Sequence, residues 1–143
     1  MRTQPLLLAL LIAAPFAAAG NLECNPQPVK QGVPTEYRCT YRNGSLAQAY
    51  AALRANQNEN RALRLDHPRL PRTLPARSLT RRITLRDPGG SNAYPAEISL
   101  RRQGQSRVLV KYSDQAEVTP YSRSTLFQRK GHDVEITITE IAP

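Results

Sequence analysis

Tryptophan is missing from this chain, methionine occurs only as the first residue, and there are two cysteines and two histidines. Each scarcity removes a class of chemistry. A structural zinc site takes about four ligands, and Cys24, Cys39, His67 and His132 show no ligand spacing. A dithiol redox centre is usually a Cys-x-x-Cys pair, which the sequence lacks. Also absent are the Gly-x-Ser-x-Gly elbow, the His-Glu-x-x-His pair, the Walker loop and the dinucleotide fingerprint. No metal or cofactor is therefore expected, and no catalytic residue is assigned.

Long apolar runs are equally scarce, and the one that exists is at the start, "MRTQPLLLALLIAAPFAAAG". A cationic beginning with Arg2 precedes apolar residues from Leu6 to Ala14, and Ala17-Ala18-Ala19 has the small-x-small form of a leader cleavage site. A membrane-spanning helix takes about 20 apolar residues, whereas Pro15 interrupts this run. Glu23 in front of Cys24 argues against lipid attachment to that cysteine. Residues 1–19 are thus expected to be a cleaved signal peptide. Residues 20–143 are expected to form one β-rich domain, exported to the periplasm or secreted, with no transmembrane span in the mature chain.

In an oxidising compartment an isolated cysteine pair reads first as a disulfide. Between Cys24 and Cys39 lies the turn-rich stretch "NPQPVKQGVP", flanked by two short extended runs that a bridge would hold side by side. Closing a loop of that size is worth about 3 kcal/mol in the chain-entropy model. Tyr37-Arg38-Cys39 has the Tyr-x-Cys form found in immunoglobulin-type domains. Those domains place the partner cysteine far earlier and pack a tryptophan on the bridge, so no family is identified.

Acidic residues are in short supply. Eleven carboxylates face twenty lysines and arginines, a formal charge of +9. The excess is uneven. From Arg54 to Arg86 the only acids are Glu59 and Asp66, while Asp133, Glu135 and Glu140 lie near the end without a basic neighbour in the same segment. These terminal acids are expected to pair with basic residues across a sheet.

"SLAQAYAALRANQN" sets Leu46, Tyr50 and Leu53 on one helical stripe behind a Ser45–Gln48 capping box, predicting a helix over about 46–57. Asn43-Gly44-Ser45 before it reads as a turn. Pro68, Pro71 and Pro75 make 65–77 an extended Pro/Arg-rich connector, expected at the surface. Period-2 alternation follows in 78–86, 96–102, 106–112, 122–128 and 133–140, with a short strand at 116–119 and a turn at 87–90. The expected fold is mainly β: an antiparallel β-sandwich or small barrel with one short helix and one disulfide.

The strongest functional feature is basic. Arg69, Arg72, Arg77, Arg81, Arg82 and Arg86, joined by Arg101, Arg102 and Arg107 around a hairpin, are expected to form an anion- or partner-binding surface. Stacking on nucleic acid needs exposed aromatics among such residues, and the arginine-rich stretch has none. An acidic protein or an anionic envelope polymer fits better. The expected function is a non-enzymatic exported binding protein, of the inhibitor, immunity or envelope-assembly kind. The alternatives are a small exported hydrolase using carboxylates or His132, and a fibre subunit that adds strands edge to edge.

Overall fold

The computed structural model describes residues 21–86, 89, 92–115 and 121–141. The expected leader, the expected strand at 116–119 and the 87–90 turn apart from Gly89 lie outside the described residues. The alternating stretches form strands β1 (Leu22–Cys24), β2 (Thr35–Tyr41), β3 (Leu79–Arg86), β4 (Ala93–Gln103), β5 (Arg107–Asp114), β6 (Ser122–Lys130) and β7 (Asp133–Ile141). All pair antiparallel in one sheet of order β1-β2-β7-β6-β5-β4-β3. From β3 to β7 the chain is a meander, because each short reversal pairs a strand with its successor. The amino-terminal pair then joins the far side of β7, Thr35 opposite Glu140 and Tyr41 opposite Val134.

The mainly β, antiparallel expectation holds. The sheet has two ends, β1 and β3, and its second layer is not another sheet. Helix α1 (Leu46–Ala55) and the connector after it cover one face. Their buried Tyr50, Leu53, Leu63, Leu65 and Leu70 meet Phe127, Val110, Leu100, Ile98, Ile136 and Ile138 from the strands. Each such side chain contributes about 1.5–3 kcal/mol on burial. The connector keeps an exposed outer side, with Arg69, Arg72 and Arg77 in solvent, but it also buries two leucines against the sheet. Leu65 and Leu70 are only 6% and 5% exposed.

Helix α1 begins as its sequence requires. The Ser45 hydroxyl accepts from the Gln48 backbone N–H, and the Gln48 side chain accepts from the Ser45 N–H. Gly44 is fixed by crowding, since a Cβ there would lie 2.2 Å from Cε1 of the buried Tyr41 ring. Cys24 and Cys39 are cross-strand partners on β1 and β2 and form the disulfide. The terminal acids pair across the sheet as expected: Asp133 with Arg42, Glu135 with Lys130 and Glu140 with Arg123. Strand β7, the cleanest alternating strand, is central and hydrogen-bonded on both sides. It offers no free edge for strand addition.

Candidate functional site: a basic sheet face and an aromatic cleft

Strand register sorts the nine arginines, because successive side chains on a strand leave by opposite faces. Arg82 and Arg86 on β3, Arg101 on β4 and Arg107 on β5 share the outer face, away from α1. Arg81 and Arg102 project to the opposite, inner side. Arg69, Arg72 and Arg77 are exposed along the connector. The nine do not form one continuous patch, because two faces of a sheet divide them. Lys111, which was not among them, joins the outer set opposite Ser99.

The two halves of the outer face differ in charge pairing. Around β1, β2, β6 and β7 the acids are matched: Glu23 and Asp133 hold Arg42 at 3.2 Å each, Glu36 holds Arg38 and Glu135 holds Lys130. The Asn43 N–H and the Arg42 guanidinium keep the Asp133 carboxyl below its ordinary range. On β3, β4 and β5 the outer positions carry Arg82, Arg86, Arg101, Arg107 and Lys111 against Glu97, which pairs with Arg82 at 3.4 Å. Among the described residues the other four have no carboxylate partner. A shallow groove of about 190 Å³ runs there between Arg101 and Lys111, floored by Ser99, Leu109 and Ser113 and closed at one side by Glu97.

Other arginines are structural. The connector has no strand beside it, so its carbonyls need side-chain donors. Arg54, in the last turn of α1, donates to the carbonyls of Leu65, Leu70 and Pro71. Tyr50 adds its hydroxyl to the Pro71 carbonyl. Arg123, on the inner side of β6, donates to those of Arg61, Ala62 and Arg64, and its Nε lies 3.9 Å from Glu140. Arg102 reaches Pro75 at 2.9 Å. Arg102 was expected in the binding surface; its Nε is instead engaged in holding the connector. Arg54 and Arg123 escaped the sequence reading because their partners are carbonyls, which leave no signature in sequence.

Where the connector crosses β4, β5 and β6 it leaves a cleft of about 400 Å³. Leu65, Pro68 and Leu70 form one wall, Ile98 and Val110 the floor. His67, Tyr112 and Tyr121 make a ladder of rings with centroids 5.5 and 6.0 Å apart. The Tyr112 hydroxyl donates to Asp114 at 2.9 Å and the Tyr121 hydroxyl to Glu140 at 3.0 Å. Burial, and then the adjoining carboxylate, raises both phenols, Tyr121 to about 12. Burial and the nearby Arg54 and Arg69 charges lower His67, outweighing Asp66. The Nδ1 of His67 accepts the Arg69 N–H at 3.1 Å, which puts the proton of the neutral ring on Nε2. Tyr112 and Tyr121 had no place in the sequence-level site, since only the connector's return over the sheet brings them to His67.

His132 sits exposed in the β6–β7 turn, beside Asn43, Ser45 and Arg129. Among the described residues no cluster of three or more His, Cys, Asp or Glu side chains is placed to hold a metal ion. None of the described helices is long and apolar enough to cross a membrane. No protein-family model, curated protein or solved structure matches this chain.

Proposed function

We propose that this chain is an exported binding protein without catalysis, which uses the outer face of β3, β4 and β5 to hold an acidic protein or an anionic envelope polymer. The observation that carries this reading is the imbalance across that face among the described residues: cations without a carboxylate partner on one half, ion pairs on the other. Unpaired cations on a flat surface attract polyanions without first breaking an internal ion pair. The leader-like start and the disulfide support delivery to an oxidising compartment. In the cleft, the ring of His67 has no hydrogen bond to a hydroxyl or carboxylate among the described residues, so nothing there resembles an activated nucleophile.

The test is retention of the mature, disulfide-bonded protein on immobilised heparin across a salt gradient, with anionic phospholipid vesicles and a polyglutamate column as parallel arms. Wild type should bind at low salt and elute as salt screens the contacts. The triple reversal Arg86→Glu, Arg101→Glu, Lys111→Glu should elute with little or no salt, whereas the equal charge change Arg38→Glu, Arg42→Glu, Lys130→Glu on the matched half should shift elution far less. Equal shifts for the two would defeat the proposal. Which arm retains wild type to the highest salt identifies the class of anion.

A further inference from the structure

We infer that the cleft under the connector is a second binding site, one that takes an uncharged, flat-ringed small molecule. It lies on the inner side of the sheet, opposite the basic face, and the inference does not depend on that face.

Size and lining come first. A volume of about 400 Å³ falls within the range of small-molecule sites, which are mostly apolar with a few fixed polar groups. The described walls follow that pattern. Aliphatic side chains supply the floor and one side, and the His67–Tyr112–Tyr121 ladder supplies a face on which a ring can stack in an offset or tilted geometry. The tyrosine hydroxyls are fixed by Asp114 and Glu140, so the two rings do not have to be ordered on binding.

Charge then selects the ligand. Arg123 and Arg64 line the cleft, yet both are engaged. Arg123 serves three carbonyls and Glu140, while Arg64 donates to the Asn58 carbonyl and lies 4.0 Å from Asp66. Asp114 accepts from the Tyr112 hydroxyl and from the Tyr121 N–H. A charged ligand would lose its hydration and, among the described residues, meet charges that already face an opposite one, Arg64 beside Asp66 and Arg123 beside Glu140. A neutral ring loses little. The polar group left on His67 is its Nε2–H, a single donor for the π face of a ring or for one acceptor on it.

The chain's lack of tryptophan makes indole a clean fluorescent probe. Indole titrated with the mature, disulfide-bonded protein should shift its emission to the blue. In ¹⁵N-resolved spectra the perturbed amides should cluster at 64–70, 98, 110–112 and 121–125. Indole-3-acetate and tryptamine, the same ring carrying opposite charges, should bind at least about tenfold more weakly, the cost of burying an unpaired charge. Ile98→Phe fills the floor and should abolish the blue shift while leaving heparin retention and the dispersion of the strand amide resonances intact, the dispersion showing that the variant is folded. Should Ile98→Phe not fold, Tyr112→Leu replaces it, with the same loss of binding expected. The triple reversal on the outer face should bind indole as wild type does. The inference fails if indole perturbs no amides, perturbs them outside the cleft, binds no better than its charged analogues, or still binds the folded cleft variant.

Discussion

Arg101 and Arg102 are consecutive on β4. The first borders the open groove on the outer face; the second donates its Nε–H to the Pro75 carbonyl on the inner side. The same division runs through the whole molecule. On the inner side Arg54 and Arg102 hold the connector, and Arg123 holds the 61–64 turn before it; neither segment has a strand partner, so these guanidiniums act as substitutes for a sheet ladder. On the outer side Arg86, Arg101, Arg107 and Lys111 meet no carboxylate among the described residues. The comparison teaches that one composition, rich in arginine, answers two separate needs. Arginine suits the first because its planar fork offers several donors in fixed directions. It suits the second because it stays charged at any physiological pH.

Four results would break or sharpen this division. The largest effect is expected for Arg123→Met, which keeps an apolar stem but leaves three carbonyls without their donor and Glu140 without its nearby positive charge. Urea unfolding should show a loss of about 3 kcal/mol, and a loss below about 1 kcal/mol would mean that the clamp is dispensable. Arg54→Met should follow at about 2 kcal/mol and should raise protease sensitivity within 65–71, as the connector detaches.

Next comes pH. Burial and Glu140 favour the neutral Tyr121 phenol, so its folded pKa, about 12, lies above the unfolded value of 10.0. The stabilisation it gives is complete below about pH 10 and is lost as the pH climbs towards 12. Ultraviolet titration should therefore show tyrosines that ionise only as the fold opens, and Tyr121→Phe should remove part of the alkaline loss. His67 behaves in the opposite sense. Its folded pKa is depressed below 6.5, so its contribution is present above that value and declines as the solution becomes acid. His67→Gln should flatten the stability profile on that side only.

The smallest stability change belongs to the outer set. The triple substitution Arg86→Ala, Arg101→Ala, Lys111→Ala, at three exposed positions, should alter unfolding by less than about 0.5 kcal/mol per site, as solvated surface changes do, while heparin retention falls. A large destabilisation would move these residues to the structural side of the division.

Much of the fold was readable before any coordinates. The alternation of Val134, Ile136 and Ile138 with Glu135, Thr137 and Thr139 marked β7, and all three apolar residues are buried. Ser45 and Gln48 marked the start of α1, and the bridge joins the two cysteines. The connector was read less well. Its prolines correctly exclude helix, but Leu65 and Leu70 carry no period that distinguishes a packed strap from an exposed one.

The candidate sites were less legible still. The arginines of the basic segment were visible as a charge run, yet a run along the chain does not say which side of a sheet each member takes. Once strand boundaries are known, parity divides Arg101 from Arg102; without them it cannot.

The sequence alone determined the strands, the helix cap and the disulfide, because each depends on neighbours a few residues apart or on a single available partner. Tertiary structure alone decided which arginines are structural and where a cleft opens. The reason is distance along the chain: Arg123 finds the Arg61 carbonyl 62 residues away, and His67 meets Tyr112 only where the connector crosses the sheet. Neither contact has any local pattern to announce it.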